Sequence, residues 1–438
     1  MKFPVVHCPK IIRDYADGFS DLLTPNQYRV FTAVLCAAIL GVSSYSDVVR
    51  YMHFSPSVSS ISEFYNFMGL VDKMNRRHRR RLLSILKSIH TDPNRYQWVI
   101  DDTLIERTGK KIWGAYQWKD HNTGGYIWGH KLLVLGIHDR KRKLLIPVFW
   151  EILHRDLRDQ VEDGALDDYT HKKGWEVALE LLRASAAMGF PKLVVSADSW
   201  FASDALFQAL DKDGYIFEIE IKSNRIVASH GRRSINKGVD EFFSEKVRSL
   251  IHVNGNIKFS SEAVLKFKDS NIRLKVVAVA NVRNLKEEPF AYYVSNKTTW
   301  NAHRIWTYAR HRWGIEVQFR DLKQNFTLSE AAGRSKEAVE TTISVAAIAL
   351  TVVRLEQLSQ ADANPNQYAR PLPAGVIVRD LKIESMLLSI SKLASDRTSK
   401  HRDKLHLRIN RENLRKKPVE VPRSSKTYVQ QAFDKMSA

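Results

Sequence analysis

The sequence predicts a mixed α/β fold, with a helical N-terminal part, a β-rich insertion and a helical, basic C-terminal region. Three observations carry this. After residue 95, β-prone runs follow one another and then alternate with helical segments. Short β-prone pieces separated by polar turns fill residues 223–300. A hydrophobic content of 44% beside 26% charged residues is that of a folded globular chain, and 438 residues give room for two or three domains.

Residues 1–92 read as helical. Pro25-Asn26-Gln27 opens an apolar segment from Tyr28 to Leu40, and Ser60 to Met74 is a second candidate. The run Arg76-Arg77-His78-Arg79-Arg80-Arg81 leads into Leu82 to Leu86, a helix with cations on one side and packing on the other. Tyr96 to Ile100 is the first strand, Ile127 to Ile137 the second and Leu144 to Trp150 the third. Residues 171–188 carry apolar positions at helical spacing, ended by Gly189. Leu193 to Ala197 is a fourth strand; a helix at 203–211 and a strand at 215–221 follow. This β-β-β-α-β-α-β order resembles a ribonuclease-H-like core. Helix returns over 302–325 and 336–357. From Ala361 the chain holds Pro365, Pro371 and Pro373 and ends in a basic tail including Lys400, Arg408, Arg415 and Lys417.

Composition narrows the function classes. With 68 Lys and Arg against 48 Asp and Glu, the net charge is +20 and the pI about 9.7, which points to an acidic partner, most often nucleic acid. Two cysteines, Cys8 and Cys36, cannot form a disulfide framework or a four-ligand zinc site unaided. The apolar run Phe31 to Val42 is too short to span a bilayer and lacks the pattern of a signal peptide. The expectation is a soluble intracellular protein. Neither a phosphate-cradling Gly-x4-Gly-Lys loop nor a Gly-x-Ser-x-Gly elbow is present, so ATP use and acyl transfer are not indicated. The acids Asp156, Asp159, Glu162, Asp163, Asp167 and Asp168 lack calcium-loop spacing and read as a solvated loop.

Three acids have surroundings suited to chemistry. Asp102 closes the first strand, Asp198 the fourth, and Glu316 lies on the 302–325 helix. Carboxylates at the C-terminal ends of buried strands sit where α/β sheets bind ligands. Like charges brought together there need a cation, and hard divalent ions take oxygen ligands. Each acid also has a plain structural reading. Asp101, Asp102 and Thr103 suit a turn or cap, Asp198-Ser199 suits the cap of the next helix, and Glu316 suits an ion pair with Arg312 or Arg320. Arg312, Glu316 and Lys323, at i, i+4 and i+11, project from one side of an unbroken helix.

On these residues the sequence resembles the DDE transposases of bacterial and archaeal insertion sequences. It is similar to the subgroup with a β-rich insertion between the second Asp and the Glu, and a Tyr-x2-Arg-x3-Glu-x6-Lys helix. IDDTLIERTGKK, VVSADSWFAS and RWGIEVQFRDLK carry the likeness, over roughly residues 95–330. One departure stands out: Ala309 occupies the Tyr position, and Tyr308 lies one place earlier, about 100° around the helix.

The resemblance implies a catalytic core over 93–222 and 301–358, a β-rich insertion over 223–300, a helical DNA-binding domain over 1–92 and a basic C-terminal region over 359–438. It implies Asp102, rather than Asp101, with Asp198 and Glu316 as catalytic acids holding two Mg²⁺ ions, with Mn²⁺ able to substitute. DNA contacts are expected from Arg312, Lys323 and Tyr308, and from Lys222, Asn224 and Arg225 after a strand. Arg79 and Arg80 on the basic helix are expected to join them. A base-stacking aromatic is expected at Trp300, with Trp306, Tyr292 and Tyr293 as alternatives. The implied partners are transposon terminal inverted repeats and target DNA, bound by a homodimer that moves the element by cut-and-paste, without a membrane, in a bacterial or archaeal cytoplasm at the nucleoid. Two rival readings keep the same core: a catalytically silent DNA-binding protein, and a structure-selective nuclease that cuts without strand transfer.

Overall fold

The computed structural model describes residues 5–42, 45–53, 64, 67–109, 111–120, 124–154, 172–231, 233–244, 249–253, 256–268, 270–280, 291–326, 333–363 and 371–395. The acidic loop from Asp156 to Asp168 and the basic tail from Lys400 lie outside these residues.

The N-terminal part is helical: α1 (Lys10–Asp17), α2 (Pro25–Leu40), α3 (Tyr45–Tyr51), α4 (Val71–Ile85) and α5 (Ser88–Thr91). The signals that end α2 are local. Thr24 and Gln27 exchange hydrogen bonds in a capping box, Pro25 occupies the first turn, and Gly41 closes the helix at φ +74°. The basic helix is α4.

The sheet begins with β1 (Tyr96–Glu106), β2 (Tyr116–Lys119), β3 (Tyr126–Asp139) and β4 (Leu144–Leu153). Next come α6 (Gly174–Ala187), β5 (Val194–Ala197), α7 (Asp204–Lys212) and β6 (Phe217–Ile221). β1 pairs antiparallel with β3 and parallel with β5, and β5 pairs parallel with β6. The expected strand and helix order is present, with the short β2 added along β3.

Residues 226–295 hold β7 (Ile226–His230), β8 (Arg233–Gly238), α8 (Val239–Ser244), β9 (Ser249–Val253), β10 (Asn256–Phe267), β11 (Leu274–Ala280) and β12 (Ala291–Ser295). These strands extend the same sheet. β12 pairs antiparallel with β6, and the order runs β2-β3-β1-β5-β6-β12-β11-β10-β7-β8, with β4 on β3 and β9 on β10.

The chain then returns as α9 (Ala302–Arg312), α10 (Gly314–Asn325), α11 (Lys336–Ala363) and α12 (Ala374–Ser395). The single helix expected over 302–325 is interrupted at Trp313, where the Glu316 amide bonds to the Trp313 carbonyl at 3.2 Å in a tightened turn. Among the described residues, α11 is long and apolar enough to cross a membrane. It is apolar all round because it is packed all round, against α2, α4, α12 and β4.

The two faces of the core sheet belong to different cores. Val99, Ile105, Leu132 and Val134 pack with Ile315 and Phe319 of α10 and with α11. Trp98, Ile100, Leu133 and Leu135 face the other way, against α6 and α7. Side chains alternate along a strand, so this division assigns a face to every residue of β1.

Candidate active site

Strand parity decides which acid of the Asp101-Asp102 pair meets Glu316. Asp101 shares the face of Val99 and Ile105, beneath α10, while Asp102 shares the face of Ile100. The structure brings Asp101 to Arg312, with Nη1 3.2 Å from Oδ2. Asp102 lies on the opposite face, where its Oδ2 is 3.2 Å from Lys131 Nζ. Lys131 in turn stands 3.6 Å from the centre of the Trp200 ring. The convergence expected of Asp102 is therefore a property of Asp101.

Asp198 follows β5 directly. The pairing of Ile100 with Ala197 puts Asp101 and Asp198 in the next positions of adjacent parallel strands. The backbone N–H of Trp200 donates to Asp198 Oδ1 at 3.0 Å and fixes that carboxylate in the turn.

Glu316 reaches the same place from α10. Its Oε1 is 3.9 Å from Arg312 Nη1. The approach of α10 depends on Gly314, where a Cβ would stand 2.8 Å from His138 Cδ2. A fourth acid, Glu220 on β6, lies 3.6 Å from Arg312 Nη2.

The electrostatics follow from this crowding. Burial, and then the Asp198 charge, push the Asp101 carboxyl up to about 8 against the pull of Arg312. Burial and Asp198 also raise Glu316 and Glu220, opposed in each by Arg312. Burial favours the neutral form of Arg312, but Asp101, Glu220, Asp198 and Glu218 outweigh it and raise its pKa. Five carboxyl groups, Asp101, Asp198, Glu218, Glu220 and Glu316, thus press on one guanidinium. A surplus of oxygen donors and negative charge is the donor set of a hard divalent cation, so the residues fit such an ion in chemistry and charge. Among the described residues, no three His, Cys, Asp or Glu side chains yet surround a single ion position.

The remaining expected residues divide into surface and core. Lys323 is exposed on α10, close enough to Asp120 to feel its charge. Lys222 and Asn224 are exposed beyond β6, and Arg80 is exposed on α4. Arg79 is not: it donates to the Val148 carbonyl at 3.1 Å and lies 4.2 Å over the Phe149 ring. Arg225 is likewise engaged, paired with Asp204, bonded to the Ala202 carbonyl and stacked near Phe207 and Phe267. Trp300 is buried and stacks on Tyr308 at 5.1 Å. Tyr308 is buried too, 4.1 Å from Arg140, with its carbonyl accepting from Gln97. Tyr292 and Tyr293 are buried, and Trp306 packs at 5.7 Å from Tyr293.

Sequence reasoning missed Glu220 and Gly314. The signal for Glu220 was present: Phe217-Glu218-Ile219-Glu220-Ile221 alternates apolar and acidic residues, which puts both acids on one face. That pattern ordinarily marks a solvent face. Here the face is covered by α9, and Glu218 is 1% exposed.

Residues 19–238 match the DDE superfamily endonuclease family, and residues 169–352 match the transposase DDE domain family. Among solved structures, the chain is similar to piggyBac transposase in its synaptic complex with hairpin DNA, at 12% identity and a TM-score of 0.41, over 95% of this chain and 83% of that one. No curated protein matches the sequence. With the endonuclease family spanning half of its length, the chain belongs to the DDE transposases.

Proposed function

We propose that the protein is a DNA transposase that hydrolyses phosphodiester bonds at the ends of its element and joins the freed 3′-OH ends to target DNA. Asp101, Asp198 and Glu316 are its catalytic acids; Asp101 takes the role that the sequence resemblance gave to Asp102. The single observation that carries this is the meeting of Asp101, Asp198 and Glu316 around Arg312, just past the point where the parallel pairing of β1 with β5 ends. The strand order β4-β3-β1-β5-β6, antiparallel on one side of β1 and parallel on the other, supports reading this part as a ribonuclease-H-like core.

Asp101, Asp198 and Glu316 would hold the divalent ions, which we take to be Mg²⁺ with Mn²⁺ able to substitute. Two such ions, when bound, polarise the phosphodiester and stabilise the attacking and leaving oxygens. The chain's own residues do the rest. The Trp200 amide fixes the Asp198 carboxylate. The Asp102 amide, at 2.8 Å, does the same for Asp101 Oδ1. Arg312 offers a planar fork of donors that suits a phosphate. Lys323, Lys222 and Arg80 are exposed cations suited to the backbone of the DNA duplex. Joining two element ends in one event calls for a paired-end complex of two copies, each gripping terminal repeats.

Incubation with Mg²⁺ and linear DNA carrying the sequences that flank its gene tests the reading. Cleavage at the element boundary and joined products are expected from the natural protein, and neither from Asp198→Ala. Cutting without joining would favour a nuclease, and binding without cutting a silent DNA-binding protein.

A further inference from the structure

Glu220 occupies a place in the site that no catalytic role yet explains. The pairing of Ala197 with Ile219 sets Glu220 beside Asp198 on β6, as the β1 register sets Asp101 on its other side. Three carboxylates thus stand side by side just past the last parallel pairs of β1, β5 and β6. Arg312 spans the row: Nη1 faces Asp101 at 3.2 Å and Glu316 at 3.9 Å, and Nη2 faces Glu220 at 3.6 Å. Glu218 lies two residues deeper on the same face, fully buried, with Oε2 lacking a hydrogen-bond partner. The guanidinium is therefore held at one end by the acids that would take a divalent cation, and at the other by an acid outside that set.

A guanidinium resting on Asp101 and Glu316 competes with an incoming cation for the same oxygens. Its stem enters from α9 and gives it a choice of partners. With Glu220 in place, the arm keeps an anchor when Asp101 and Glu316 release it. Without that anchor, the whole guanidinium is free to close on the two catalytic acids.

We propose that Glu220 is a positioning residue: it anchors Arg312 so that Asp101 and Glu316 can pass to a divalent cation while the guanidinium stays beside them, ready for a phosphate. This rests on the reading of Asp101, Asp198 and Glu316 as the acids that hold the ion.

Binding of Mn²⁺ to the DNA-free, full-length protein, followed by the electron paramagnetic resonance of the free ion, tests it. Glu220→Gln should weaken binding about tenfold, the size of coupling found between groups in contact. Glu220→Asp, which keeps the charge, should stay within about threefold of the natural chain on the same scale. Arg312→Gln should bind at least as tightly as the natural chain, because the competing cation is gone. The double variant should match Arg312→Gln alone, since Glu220 acts through Arg312. Unchanged binding in Glu220→Gln overturns the proposal. So does a double variant weakened as much relative to Arg312→Gln as Glu220→Gln is relative to the natural chain, because Glu220 would then act independently of Arg312. Asp198→Asn separates the two levels. If it keeps full Mn²⁺ binding, the metal-holding reading itself fails; if it loses binding while Glu220→Gln does not, only the role of Glu220 fails. Should Glu220→Gln not fold, Glu220→Asp against Arg312→Gln carries the comparison: loss of binding in Glu220→Asp as large as in Asp198→Asn would overturn the anchor.

Discussion

Arg312 and Asp101 lie 211 residues apart in sequence and 3.2 Å apart in the fold, guanidinium to carboxylate. The contact joins the first strand of the sheet to the end of α9, across the whole β-rich segment. It also separates two acids that are neighbours in sequence.

Asp101→Asn is expected to abolish strand cleavage, by roughly 100-fold or more. Asp102→Asn should keep most of the chemistry. Its cost falls on stability, because Lys131 loses its partner in a mostly buried setting, on the order of 1–3 kcal/mol. Cleavage assays and thermal melts of the two variants, run side by side, separate the roles. Equal loss of cleavage in both would contradict the assignment by strand face.

The same pair shows how far the sequence could be read. The β-β-β-α-β-α-β order and the helices around residues 25–40 and 336–357 were legible, since turns, caps and periodicity are local. The choice between Asp101 and Asp102 was not. Val99 and Ile100 are both fully buried, so β1 is apolar on both faces and its alternation cannot say which face lies under α10. The close approach at Gly314 depends on His138 from a distant strand. Trp300 and Tyr308 were expected at the DNA, Trp300 against the commoner reading of a core aromatic; they are a stacked pair in the core.

Glu218 sets a pH dependence. Burial raises its carboxyl from 4.5 to about 8, partly offset by a hydrogen bond with Ser196. An acid that holds its proton more tightly when folded favours folding at low pH. Its contribution is lost as pH rises from about 4.5 to about 8. Glu218→Gln cannot ionise and should flatten that decline, with a gain on the order of 1–3 kcal/mol near pH 8 relative to the natural chain. Melting temperatures from pH 5 to pH 9 check it; parallel curves would contradict it.

Arg79 and Arg80 should part company although they are adjacent. Arg80→Gln is expected to weaken DNA binding and lower the salt-dependence slope by about one. Arg79→Ala removes a cation stacked on Phe149 and a bond to the Val148 carbonyl, and should cost about 1–3 kcal/mol of stability with little change in salt slope. Binding titrations across salt concentrations, with melts of each variant, read both quantities.

Arg354 supports the site from behind. It is 3% exposed, donates to Asp321 of α10 at 2.7 Å and to the Leu145 carbonyl at 3.1 Å, and so ties the helix that bears Glu316 to α11 and β4. Arg354→Met leaves Asp321 buried without its cation and should cost about 3–5 kcal/mol. Adding Asp321→Asn should recover part of it. Chemical denaturation of the single and double variants gives the coupling.

The pairing of β6 with β12 has a practical meaning for anyone who would edit the chain. The segment between β6 and α9 is woven into the sheet that bears Asp101 and Glu220 and cannot be exchanged as a detachable cassette. Excising it would bare the edge of the strand that carries Glu220 and leave an unpaired ladder open to aggregation. A shortened relative would have to seal that edge before it could keep its chemistry.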